Sequence, residues 1–140
     1  MLDSVMHASL IESEDEHHWV LLDHRVTELS VGARAVRVRT WSLDGSTELS
    51  LTAPFRLRLS SGTVRVLDPQ RPESLSPLLA LVGREVQSLT IGRNGDAVMQ
   101  LAEGVTIEAG PDPRAVSWEL IGGGVMEGLM YRSAPGTDPW

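Results

Sequence analysis

The sequence predicts a mostly β chain, a β-rich α+β arrangement. It reads as two antiparallel β-meanders joined by one short helix, packed as a sandwich or a curved sheet. Three observations carry this reading. Apolar and polar residues alternate at a period of two over most of residues 17–132. Turn signals such as Asp44-Gly45, Ser60-Ser61-Gly62 and Asn94-Gly95 punctuate the alternation. A single Pro-rich and then apolar segment in the middle breaks the period.

Residues 1–16 are acidic and irregular and read as a loose N-terminal segment or one short helix. Residues 17–140 read as a single β-rich domain, with halves of about 17–67 and 83–132. The stretch HWVLLDHRVTELSV predicts one or two strands. In RAVRVRTW, Val36 and Val38 face one way, and Arg37, Arg39 and Trp41 the other. Beyond the Asp44-Gly45 turn, Leu49, Leu51, Phe55, Leu57, Leu59, Val64 and Val66 are expected in the core. Glu48, Arg56, Arg58 and Arg65 are expected outside.

A helix is predicted over about 75–82, with Ser76 as N-cap, Pro77 at the first turn and Gly83 as the stop. Its buried side would be Leu75, Leu78, Leu79 and Val82. EVQSLTIG, AVMQLA and VTIEA then form a three-strand meander. Pro111-Asp112-Pro113 fixes a tight turn, because proline restricts itself and the residue before it. In AVSWELI, Val116, Trp118 and Leu120 point inwards and Glu119 outwards; GGG breaks the strand, and VMEGLMYR gives the last one. A weak internal echo appears at a spacing of 60: RVTELSVG at 25–32 resembles EVQSLTIG at 85–92. Duplication and chance similarity between amphipathic strands both account for it.

Composition excludes several chemistries. The chain has 140 residues and no cysteine, so disulfides, thiolate nucleophiles and Cys-ligated metals are out. All 12 basic residues are Arg, so no Schiff base, P-loop lysine or nuclease lysine is available. Net charge is -7 and uneven. Residues 1–23 hold six acids and no Arg, 24–66 seven Arg and three acids, and 67–140 five Arg and ten acids. An acidic whole argues against nucleic acid as a partner. No apolar run is long enough to span a membrane, and the start lacks a signal-peptide pattern, so the expectation is a cytoplasmic protein.

The run LVGREVQSLTIGRNGDAVMQLAEGVTIEAGPDPRAVSWELIG, with Leu81, Gly83, Val86, Gly95, Gly104, Pro111, Asp112, Trp118 and Glu119, resembles a small uncharacterised domain family of bacteria, mainly actinobacteria. HRVTELSV and LTAPFRL resemble its usual beginning, so the likeness covers roughly residues 17–132. That family is similar to proteins encoded near toxin–immunity systems, which implies a protein partner such as a toxin. The chain departs from the pattern at Arg114 to Val116 and lacks the usual Gly-Gly near the end of the last strand.

The site constellations are mostly plain. Glu14, Asp15, Glu16, His17, His18, Asp23 and His24 could hold a metal, but adjacent strand residues point to opposite faces, so a solvated acidic terminus is the simpler reading and no metal or other cofactor is expected. Glu108, Asp112 and Glu119 read as turn and strand surface, not as a paired-carboxylate centre. No catalytic residue is expected. Arg37, Arg39, Trp41, Arg56 and Arg58, with Arg65, would share one exposed face; Arg and Trp are the types enriched at interface hot spots. Neutralisation by nearby carboxylates is the plain alternative.

The sequence therefore predicts a non-enzymatic binding protein of the immunity type, associating stoichiometrically with a protein partner through those residues. A small enzyme or ligand-binding domain with a pocket between the sheets is the second expectation, and a homo-oligomer the third.

Overall fold

The structure, a computed structural model, describes residues 8–12, 16–43, 45–92, 94–112, 115–124 and 130–133. Its strands are β1 (Ala8–Glu12), β2 (Glu16–Val31), β3 (Val36–Trp41), β4 (Gly45–Leu51), β5 (Phe55–Arg58) and β6 (Val64–Leu67), followed by β7 (Glu85–Gly92), β8 (Ala97–Leu101), β9 (Thr106–Ala109), β10 (Trp118–Gly124) and β11 (Met130–Arg132). A 3₁₀ helix, Pro72–Leu81, joins β6 to β7, and a single turn, Ala102–Gly104, joins β8 to β9. The strands form one antiparallel sheet in the order β11-β10-β4-β3-β2-β7-β8-β9-β5-β6, with β1 beside the first part of β2. The mostly β expectation holds.

This order is symmetric about the β2–β7 pair. On one side lies the meander β2-β3-β4 and then the hairpin β10–β11; on the other lie β7-β8-β9 and then β5–β6. The chain does not build each side in one pass. After β4 it crosses to β5, which pairs with β9, and after β9 it crosses back to β10, which pairs with β4. The two halves thus exchange their outer hairpins. The segments of the sequence echo, 25–32 and 85–92, fall essentially on the first strand of each meander.

The exchange forces curvature. β4 and β5 lie six places apart in the strand order, roughly 29 Å on a flat sheet at about 4.8 Å per strand. Only residues 52–54 connect them, and four Cα steps reach at most about 15 Å. The sheet must therefore fold over, which brings its two halves around one core. That core draws Val36, Val38, Leu49, Leu51 and Leu120 from one half, and Phe55, Leu57, Met99 and Ile107 from the other. The crossovers meet: the Thr52 amide donates to the Ser117 carbonyl at 3.0 Å, and its hydroxyl to the Val116 carbonyl at 2.8 Å.

Several sequence expectations need correction. Ala8–Glu12, read as loose terminus, is a strand that pairs with residues 17–21 of β2. The helix starts at Pro72, not near Ser76, and Pro77 lies inside it. Its Ser74 hydroxyl accepts from the Asp68 amide and donates to the Arg71 carbonyl, which ties down the first turn. Three residues per turn put Leu75, Leu78 and Leu81 in one buried row and leave Leu79 and Val82 exposed. β6 is inverted relative to expectation: Leu57 pairs with Arg65, so Arg65 shares the Leu57 side and Val64 and Val66 turn outwards on the sheet edge. A one-residue difference in register moves every side chain to the other face. Leu59 is half-buried, and Val116 precedes β10 and is exposed. GGG does not break its strand; Gly122, Gly123 and Gly124 pair with Thr47, Ser46 and Gly45. Asp44 of the first turn signal lies outside the described residues.

Candidate interaction face

Strand alternation positions the candidate residues. Val36, Val38 and Thr40 are drawn into the core, which turns Arg37, Arg39 and Trp41 outwards on β3. Phe55 and Leu57 do the same for Arg56 and Arg58 on β5. The structure does not join these five residues into one stripe. β3 and β5 lie in opposite halves, five places apart in the strand order. Arg37, Arg39 and Trp41 stand on one outer face, and Arg56 and Arg58 on another.

The face around β3 is built from cross-strand rows. One row runs Glu28, Arg39, Glu48, Ile121 and Met130 across β2, β3, β4, β10 and β11. The next runs Arg25, Trp41, Ser46 and Gly123, and a third Ser30, Arg37, Ser50, Glu119 and Arg132. Trp41 is 51% exposed, and Ile121 and Met130, two and three strands away, are exposed on the same face. A Cβ at Gly123 would lie 2.8 Å from the Ser46 hydroxyl, which would have to rotate away. A hollow of about 190 Å³ lies at Gly122 and Gly123, lined also by Arg39, Ser46, Glu48 and Ile121.

Charge on this face is partly cancelled. Arg39 donates to Glu28 at 2.6 Å and to Glu48 at 2.7 Å. The hydrogen bond to Glu48, then the charges of Glu28 and Glu48, raise the Arg39 pKa above its ordinary value, against slight desolvation. Arg37 instead faces Ser30 and Ser50 across both neighbouring strands. The neutralisation expected for the Arg set therefore holds at Arg39, and no carboxylate stands directly across from Arg37.

The second face carries Arg56 directly opposite both Val66 and Glu108. Arg58 approaches Glu108 at 3.8 Å. A groove of about 610 Å³ opens here, lined by Phe55, Arg56, Val66, Asp96, Val98 and Glu108, among others. It lies on the outside of the sheet, whereas the second expectation placed a pocket between two sheets.

The remaining constellations disperse. His24 is fully buried in β2, not part of a solvated terminus. The His18 Nδ1 and the Thr90 hydroxyl are 2.7 Å apart. No group of three metal-ligating side chains forms among the described residues. Glu108 and Glu119 stand on the outer faces of opposite halves, and Asp112 bridges to Ala115. Trp118 is buried, and its indole N–H donates to the Gly95 carbonyl at 2.8 Å. Sequence reasoning missed Ile121, Met130 and the glycine hollow, because the glycines read as the end of a strand.

A curled antiparallel sheet with exchanged hairpins and two decorated outer faces defines a small β-rich domain. The chain belongs to a family of unknown function, DUF6188, which matches residues 18–136. No curated protein and no solved structure matches it. No helix among the described residues is long and apolar enough to cross a membrane.

Proposed function

We propose that this chain is a non-enzymatic binding protein that associates one-to-one with a protein partner through the outer face of β3, β4, β10 and β11. The observation that carries the reading is Trp41, half exposed on a regular strand directly across from Ser46, which lines the glycine hollow, on the face that also exposes Ile121 and Met130. A large aromatic ring on a sheet face, ringed by charge and next to a notch that can receive a side chain, has the make-up of an interface hot spot. Arg37 adds a guanidinium that favours an acidic partner and speeds encounter.

The resemblance to bacterial, mainly actinobacterial, proteins encoded near toxin–immunity systems supports the immunity type, acting in the cytoplasm by occluding a toxin. The deciding experiment uses two double variants, one per face. Tagged protein is purified from its native host, and the stoichiometry of any co-purifying protein is measured by native mass spectrometry. Trp41→Ala with Arg37→Glu is expected to lose a one-to-one partner that Arg56→Glu with Arg58→Glu retains. A partner kept by the first variant and lost by the second would move the site to the other face. Loss from neither would remove both faces from the interaction.

A further inference from the structure

One edge of the sheet is left open over a short, defined stretch. β6 is the last strand in the order and pairs with β5 alone among the described residues. The Leu59 amide donates to the Thr63 carbonyl at 2.8 Å, and bonded and open pairs alternate along an antiparallel ladder. Leu57 and Arg65 are therefore a bonded pair, and the N–H and C=O groups of Val64 and Val66 point away from β5. Further along, the helix closes the edge: the Ser74 hydroxyl accepts from the Asp68 amide at 2.9 Å and lies 3.0 Å from the Asp68 carbonyl. The edge groups of Val64 and Val66 have no strand beside them among the described residues, and their side chains are exposed.

A groove runs to this edge. Val98, Glu108, Arg56 and Val66 form one cross-strand row over β8, β9, β5 and β6, and all four line the cavity of about 610 Å³. A strand laid along β6 would add the next residue to that row, opposite Val66. Free main-chain groups beside a cavity for side chains are the two parts of a strand-addition site: the main chain supplies affinity and the cavity selectivity. Arg65 decides which strand fits. It points to the opposite side from Val64 and Val66, is exposed, and makes no ion pair among the described residues. A second copy of this chain is a poor occupant. The register that uses the edge groups of both copies sets two Arg65 guanidiniums directly across from each other, which is destabilising, and an inward charge on an edge strand works against edge-to-edge association. A carboxylate in that place turns the repulsion into attraction. We infer that the β6 edge accepts an extended strand of a partner protein that carries Asp or Glu across from Arg65, flanked by apolar residues across from Val64 and Val66. The site is independent of the Trp41 face, which lies in the other half of the sheet.

The test titrates the isotope-labelled full chain with the peptide acetyl-Thr-Val-Glu-Val-Thr-amide, followed by NMR. Its sequence reads the same in both directions, so either strand polarity is probed. The proposal expects saturable one-to-one shifts centred on the Val64 and Val66 amides, with slower hydrogen exchange there. A peptide with Lys in place of Glu is expected to bind more weakly by about tenfold or more, the effect of losing one charge-assisted contact. A peptide N-methylated at both valines keeps the side chains, loses the main-chain donors and is expected not to bind.

Two variants locate it. Val66→Pro removes an edge donor at a position whose N–H faces solvent, where proline is tolerated, and is expected to abolish binding. Arg65→Glu is expected to reverse the preference, with the Lys peptide bound more tightly than the Glu peptide, while Trp41→Ala changes neither. Should Val66→Pro fail to fold, Arg65→Glu decides alone. Absence of saturable shifts at millimolar peptide, equal binding of the N-methylated peptide, or a preference untouched by Arg65→Glu would overturn the proposal. So would self-association in sedimentation that Val66→Pro abolishes, because the occupant would then be a second copy.

Discussion

Gly95 carries two constraints at one residue. Its φ is +98°, and a Cβ there would meet the Pro111 ring at 2.9 Å. Its carbonyl also receives the Trp118 indole, so the tight turn orients the largest buried side chain. Gly95→Ala is expected to destabilise the fold by about 2 kcal/mol or more, from the left-handed backbone and the clash together. A lower urea midpoint at unchanged slope would show it. Glu103 is the opposite case. Among the described residues it is the one non-glycine with positive φ, at 66°, and its contact with Arg84 is long, at 3.8 Å. Asparagine tolerates that conformation better, so Glu103→Asn is expected to raise stability by roughly 0.5–1 kcal/mol. A fall in the melting midpoint would mean that the Arg84 contact matters more than the strain.

At the scale of elements, period decides which apolar residues count. The helix Pro72–Leu81 winds at three residues per turn, so Leu78 is buried and Leu79 exposed. Leu78→Ala is expected to cost about 2–4 kcal/mol and Leu79→Ala less than about 0.5. Similar costs for the two in denaturant titrations would contradict this placement. β6 makes the same point through register. Val66 is exposed and Leu67 buried, so Val66→Thr is expected to be nearly neutral, within about 0.5 kcal/mol, and Leu67→Ala to cost about 2–4. The sequence reading of the helix and of β6 went wrong on these two points. An alternating Val-Arg-Val looks the same in either register, and only pairing with Phe55–Arg58 chooses the face.

Across the whole molecule, the exchanged hairpins make the halves interdependent. β5 and β6 complete the sheet edge of the second meander, and β10 and β11 that of the first. A chain cut after Gly83 leaves each piece without the hairpin that covers its meander and without half the core. Fragments 1–83 and 84–140 are expected to be unfolded alone and to recover strand signal in circular dichroism when mixed. A fragment that folds by itself would show that the halves are separate units. For the same reason the intact chain is expected to unfold in one transition, with Leu49→Ala and Ile107→Ala shifting the same curve although they sit in different halves.

Local chemistry alone determined the strand-rich character, the outward placement of Arg37, Arg39, Trp41, Arg56 and Arg58, the burial of Trp118 and the Asn94-Gly95 turn, because period two and turn dipeptides are written over a few consecutive residues. The echo between 25–32 and 85–92 even marked the equivalent first strands of the two meanders. Tertiary structure decided everything that depends on which strand lies beside which. It separated the Arg residues of β3 from those of β5, set Arg39 against Glu48 but Val98 against Glu108, kept Gly122 to Gly124 inside a strand, and turned Val66 out. The reason is that strand order is set by pairings between segments some 60 residues apart and by the crossing of two short connections, and no local pattern records either.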